Sequence, residues 1–183
     1  MNKNKKSLLA AWEHLKRYTV CNLATVDISG KPDNRVMGYV PMLINHQVGP
    51  GEGIVFVMNT DAGSRKTNQL DQNPNVSITV GQEWPTSTEP APYVRLKGQA
   101  KVINNRDLDK EWRETYFQRY PEAQTLFEEP ERIPTVMIIA VIGSLEYIAD
   151  PSINPPEGIE VFSFDISDHQ IKSVLGFSFA ELE

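Results

Sequence analysis

Tyr93-Val-Arg-Leu-Lys-Gly-Gln-Ala-Lys-Val-Ile103 alternates apolar and polar residues more cleanly than any other stretch of the chain. That is the period of a strand with one face in a core and the other in water, as antiparallel sheets have. Gly98 sits inside the pattern and marks the place for a bulge. Toward the C-terminus, Arg106 to Tyr120 is expected to be a helix whose stripe of Trp112, Tyr116 and Phe117 is core, and Pro121 to Glu129 a further helical turn. Thr135 to Ile142, continuing through Leu145 to Ile148, is a buried strand, and Gly158 to Phe164 is another.

Toward the N-terminus, Leu8, Leu9, Trp12 and Leu15 give residues 4–17 an amphipathic helix. Thr19 to Asp27 and Arg35 to Ile44 are strands around the turn cluster Ile28-Ser-Gly-Lys-Pro32. Gln47 to Gly53 is a loop, Ile54 to Thr60 a strand, and Asp61 to Asn73 a helix of about three turns, capped near Asp61 or Ser64 and closed by Pro74. Asn75 to Val80 is a strand, and the proline-rich Trp84 to Pro92 is a loop able to serve as a lid. About seven strands, three helices and no βαβ alternation make a mainly β (α+β) antiparallel barrel with peripheral helices, expected as one domain over residues 1–183.

The 183 residues are 40% apolar and 23% charged, a globular composition. The net charge of −6 argues against a nucleic-acid surface, which needs excess Lys and Arg. The single cysteine, Cys21, excludes a disulfide scaffold and is expected to be a buried structural thiol. With no signal-like or bilayer-spanning segment, a cytoplasmic protein that binds neither nucleic acid nor membrane is expected. His14, His46 and His169 show no metal-ligand spacing and are expected at the surface, and the acidic clusters Asp107 to Asp109 and Glu128 to Glu131 are solvated faces.

The sharpest chemical signal is Asn59-Thr-Asp-Ala-Gly-Ser-Arg-Lys66, at the junction of a strand and a helix. The first N–H groups of a helix lack partners and carry partial positive charge, so Ser64, Arg65 and Lys66 at such a junction form a phosphate cradle. Arg35, on the second hairpin strand, would add another guanidinium. The competing reading is that Arg65 and Lys66 are ordinary solvated helix residues.

Leu23-Ala-Thr-Val-Asp-Ile-Ser-Gly-Lys-Pro32, Arg35, Ser64-Arg-Lys66 with Gln69-Leu70, Asn73-Pro-Asn-Val-Ser77 and Tyr93-Val-Arg-Leu-Lys-Gly-Gln-Ala100 occur in an order and spacing that resemble the pyridoxamine 5'-phosphate oxidase-like FMN-binding split barrels. The likeness covers roughly Leu8 to Asn104. It implies an antiparallel split β-barrel, with Arg35, Ser64, Arg65 and Lys66 holding the FMN phosphate and ribityl chain. It further implies that Asn59 and Thr60 line the flavin ring, that Tyr93 reaches it, and that a homodimer holds each flavin between subunits. Two departures separate the chain from true pyridoxamine phosphate oxidases: Val40 stands where those carry a second basic residue, and Ser163 to Glu183 lack their C-terminal tryptophan and arginine elements.

The function expected is a flavin-dependent oxidoreductase acting on a small molecule, in which the cofactor carries the electron chemistry and no side-chain triad is required. The alternatives are a flavin-binding module that stores or senses FMN without turnover, and a haem-binding or deazaflavin F420-binding split barrel.

Overall fold

The computed structural model describes residues 3–44, 50, 53–81, 92–108, 110–128, 135–149 and 159–164. Helix α1 (Lys3–Arg17) opens the chain, followed by β1 (Val20–Val26), β2 (Pro32–Gly38), β3 (Val40–Leu43), β4 (Ile54–Asp61) and α2 (Arg65–Gln72). Next come β5 (Asn75–Val80), β6 (Tyr93–Asn104), a 3-10 turn at Asn105–Asp107, α3 (Lys110–Arg119), α4 (Pro121–Glu128), β7 (Thr135–Ile148) and β8 (Ile159–Ser163). The strands form a curled antiparallel sheet, a split barrel, in the order β2-β1-β5-β6-β7-β4-β3 with β8 on β7.

Strand β6 occupies the middle of that order, between β5 and β7, and carries the clean alternation because its outer face meets water: Arg95, Lys97 and Gln99 are exposed while Val94, Leu96 and Ala100 are buried. The register slips between Lys97 and Gly98, with Gly143 as the extra residue on β7. A Cβ at Gly98 would lie 2.0 Å from the Val141 carbonyl oxygen, so the close backbone approach there requires glycine. Strands β4 and β7, by contrast, are buried on both faces. Phe56, Met58, Ile138 and Ala140 join a core with α1 and α2, whereas Val55, Val57, Met137 and Ile139 join a second core with Trp112 and Tyr116 of α3. That double burial explains why their sequences are apolar runs without alternation.

Three expectations need correction. Arg35 to Ile44 is not one strand. The chain breaks at Tyr39, and β2 and β3 lie at opposite ends of the strand order, which raises the strand count to eight. Tyr39 sits at the break: its N–H is 3.3 Å from the Thr19 carbonyl and 2.9 Å from the Tyr120 hydroxyl, and that hydroxyl lies 2.9 Å from the Tyr39 carbonyl.

Helix α2 is shorter than expected, eight residues, because Asp61 completes β4 opposite Thr135 and Gly63 turns the chain at φ +69°. His14 is buried, not at the surface, with its ring 4.6 Å from that of Tyr18 and 6.5 Å from that of Tyr147. Cys21 is buried as expected, and burial pushes its thiol up to about 12. Residues 45–49, 51–52, 82–91 and 165–183 lie outside the described residues, and with them most of both loop readings, the tail, His46, Trp84 and His169.

Candidate functional site

Directly opposed residues of an antiparallel pair share a sheet face. Arg35 stands opposite Leu23, and Asp33 opposite Thr25, so all four project inward, toward the mouth of the barrel that α2 covers. The guanidinium of Arg35 is fixed there in a closed ring of bonds. Its Nη1 donates to Thr25 Oγ1 at 2.7 Å and its Nη2 to Gln69 Oε1 at 3.2 Å, while Thr25 Oγ1 donates to the same Gln69 oxygen at 2.6 Å. Thr25 and Gln69 are buried, so these are polar groups satisfied inside the fold.

Asp33 joins Arg35 to the start of α2. Its Oδ2 lies 2.8 Å from Arg35 Nη2 and 3.2 Å from Arg65 Nε. Ser64 takes the N-cap position with φ −65° and ψ 157°, yet its side chain makes no capping bond. Its hydroxyl lies 3.5 Å from Lys66 Nζ and 3.4 Å from the Thr67 hydroxyl, which donates to the Ser64 carbonyl at 2.7 Å. The first N–H groups of α2 have no intrahelical acceptor. Burial above all, and then the positive charge of Arg35, hold the Lys66 ammonium below the ordinary lysine range, with Asp61 opposing. The mouth is therefore a place where cations crowd one another and where an anion would be stabilised.

The structure thus brings together Arg35, Ser64, Arg65 and Lys66. Thr60 is buried on the inward face of β4, the face of Phe56 and Met58. Asn59 points the other way. Its amide donates to the Val136 carbonyl at 3.3 Å and lies 3.6 Å from Met137 Sδ, and its backbone hydrogen-bonds Tyr116 of α3. Tyr93 also stands apart, on the outer face with Arg95 and Lys97 and opposite Ile148 at one end of β6, whereas Thr60 is opposite Val136 and so at the other end.

Thr25, Asp33 and Gln69 were missed as site residues. Their signal was present but weak: Thr25 continues the inward parity of Cys21 and Leu23, and Gln69 precedes Leu70 on an otherwise solvated helix. Among the described residues no group of three or more His, Cys, Asp or Glu could hold a metal ion, and no helix is long and apolar enough to cross a membrane.

Known proteins share this frame. General stress protein 26 of Bacillus subtilis is 30% identical over 109 residues, 59% of this chain and 66%, just under two thirds, of that relative. Among solved structures, a Clostridium acetobutylicum protein related to general stress protein 26, of the pyridoxinephosphate oxidase family, superposes with a TM-score of 0.59 at 14% identity, over 88% of this chain and 96% of that one. A heme binding protein from Mycobacterium smegmatis gives 0.61 at 11% identity, over 89% of this chain and 59% of that one. Both likenesses are of fold. The family model for pyridoxamine 5'-phosphate oxidase matches residues 10–147, which takes in β1 to β6, all of β7 but its last residue and the whole barrel mouth, and the chain belongs to that family.

Proposed function

We propose that the protein binds FMN with its phosphate at the barrel mouth and serves as a flavin-dependent oxidoreductase for a small molecule. The observation that carries the reading is the convergence of Arg35, Arg65 and Lys66 beside the Ser64 hydroxyl and the open N–H groups at the start of α2. Three cationic groups and a hydroxyl suit a phosphate. They do not suit a porphyrin iron, which needs an axial ligand. Among the described residues the only histidine is His14, buried between Tyr18 and Tyr147.

Arg35 and Arg65 would grip the phosphate oxygens, Lys66 would add a point charge, and Ser64 would donate its hydroxyl. Thr60, inward on β4, would border the flavin on the barrel side. Bound FMN would supply the hydride or electron chemistry, and the chain's own task is binding, orientation and water exclusion.

Tyr93 faces outward, so its place at the flavin calls for a second copy: in a homodimer the partner subunit's Tyr93 would reach the ring held at this cradle. Asn59 would contribute through backbone groups, since its side-chain amide is engaged with Val136 and Met137 of β7.

Replacing Arg65 and Lys66 together with alanine should remove charge-assisted bonds of about 1.5–3 kcal/mol each, weakening FMN binding by more than tenfold. A fluorescence titration in which that variant keeps the parent's affinity would sink the assignment. The visible spectrum of the purified protein separates the cofactors: a flavin spectrum with FMN released on heating supports this reading, and a Soret band replaces it with haem.

A further inference from the structure

Helix α3 packs over the outer face of β6 and β7 at Ile103, Met137, Ile139 and Val141, and beyond Val141 the register slips. The extra residue there, Gly143, resets which side chains of β7 face outward. Without it Gly143 and Leu145 would stand opposite Lys97 and Arg95; with it Ser144 and Glu146 do. A bulge re-aims side chains in this way, and bulges are frequent beside functional sites. On the other side, β5 sets Ser77 and Thr79 opposite the same two residues. Two rows of outward side chains result, Ser77, Lys97 and Ser144 in one and Thr79, Arg95 and Glu146 in the next. Tyr93 stands on the same face, four positions from Lys97 at the end of β6.

Ser77, Arg95, Lys97, Ser144 and Glu146 line a cavity of about 130 Å³, room for about four waters or one small ligand. The two serines are short and Gly143 has no side chain, so space opens between the longer groups. Arg95 Nη2 lies 2.5 Å from Glu146 Oε2. Among the described residues Lys97 has no acidic partner, and the hydroxyls of Ser77 and Ser144 and the second Glu146 oxygen carry no hydrogen bond. The cavity thus offers an ammonium, two hydroxyls and the remaining N–H groups of a guanidinium as donors, against one spare carboxylate oxygen as acceptor. Its charges are two positive and one negative. Nothing at the barrel mouth lines it.

We propose that this cavity binds a small α-hydroxy carboxylate, at a site separate from the cradle at the barrel mouth. The ligand's carboxylate takes the Lys97 ammonium and the two serine hydroxyls, and its hydroxyl donates to Glu146. Lys97 and Glu146 are diagonal neighbours across β6 and β7, about 7–8 Å apart along the backbone, so one small molecule can touch both. A monoanion neutralises the one positive charge in excess. The spare Glu146 oxygen needs a donor, which an α-hydroxyl supplies and an ionised phosphate ester does not.

The test follows the amide NMR signals of the full-length protein during titration with L-lactate. Three analogues each remove one feature: L-lactamide the charge, propionate the hydroxyl, and methyl phosphate the carboxylate with its neighbouring donor. L-lactate is expected to saturate with a Kd of about 1 mM, within reach of a ligand of about six heavy atoms, and to shift Ser77, Arg95, Lys97, Ser144 and Glu146. L-lactamide should bind at least about tenfold more weakly, and propionate and methyl phosphate at least about threefold. Lys97→Ala should weaken L-lactate by about tenfold or more, and Ser77→Val, a substitution suited to an exposed strand, by about threefold or more.

A parent with no saturable shift at these residues by about 20 mM L-lactate overturns the proposal. So does an analogue that binds as well as L-lactate, a folded Lys97→Ala variant that keeps the parent's affinity, or a set of shifts that falls on Arg35, Ser64 and Lys66 instead. The variants' own amide spectra report their folding, so a lost affinity is read only from a folded protein. The flavin reading is tested at the barrel mouth and stands or falls separately.

Discussion

Arg35 shows how one residue can serve the fold and the site together. Its guanidinium contacts Thr25, Gln69 and Asp33, so alanine there would leave the buried Gln69 oxygen with Thr25 alone and Asp33 with the exposed Arg65. Arg35→Ala should cost about 1–3 kcal/mol in urea unfolding and should weaken FMN binding by at least about tenfold, while lysine at this position would keep the charge and lose the fork geometry. Equal FMN affinity in the alanine variant would remove Arg35 from the site. The grouping of Ser64, Arg65 and Lys66 was legible in the sequence as a strand–helix junction, and that of Arg35 with them only through the inferred hairpin. Thr25 and Gln69 left only a weak signal and Asp33 none, because their contacts exist only once β1, β2 and α2 meet, and no sequence pattern reports a contact between positions 25 and 69.

At the scale of elements, periodicity revealed the long pieces and missed the break. β6 was readable because one of its faces meets water and the other the core, and β7 because both of its faces are buried. The division of residues 32–43 into β2 and β3 was not, because it lies in their pairing with different strands, β1 and β4, and the Tyr120 hydroxyl that meets Tyr39 at the crossing comes from 81 positions away. Tyr120 accepts from the Tyr39 N–H and also bonds the Thr19 carbonyl, while Arg119 beside it donates to the carbonyls of Lys16 and Tyr18. The end of α3 thus clamps the α1–β1 junction and the point where the chain crosses the barrel.

Tyr120→Phe keeps the ring but leaves the Tyr39 N–H and the Thr19 carbonyl with only their bond to each other, and should lower stability by about 0.5–1.5 kcal/mol. The check is the urea midpoint, and an unchanged midpoint would mean that water replaces the hydroxyl freely. Gly98→Ala tests the centre of the sheet in the same way. Its Cβ would meet the Val141 carbonyl and force backbone movement in β6 and β7, so a loss of about 1–3 kcal/mol is expected, and a neutral result would contradict the close approach of the two strands.

Across the whole molecule, the acidic protons of one thiol and four phenols, buried at Cys21, Tyr39 and Tyr116 and half-buried at Tyr120 and Tyr147, share one direction. Burial raises the Cys21 thiol to about 12 and is the largest cause of the upward shifts at Tyr39, Tyr116, Tyr120 and Tyr147. Cys21, Tyr39, Tyr116 and Tyr120 act on one another, which links β1, the chain crossing at Tyr39 and α3, while Tyr147 on β7 stands apart beside Glu160. For each, the folded value lies above the ordinary value of 9.0 for the thiol or 10.0 for the phenols.

Below those ordinary values both folded and unfolded chains keep the protons, and stability owes nothing to them. As pH rises past them the unfolded chain releases protons that the native chain retains, so the unfolded state binds fewer protons and the free energy of unfolding falls. The urea midpoint is therefore expected to hold steady from pH 7 to 8.5 and to decline progressively from pH 9 to 11, with the share of the tyrosinate absorbance that belongs to the buried Tyr39 and Tyr116 appearing only as the chain unfolds. A midpoint that stays flat to pH 11, or tyrosinate absorbance that rises fully in the native state, would mean that the phenols and the thiol titrate in contact with water, which is incompatible with the two cores described above.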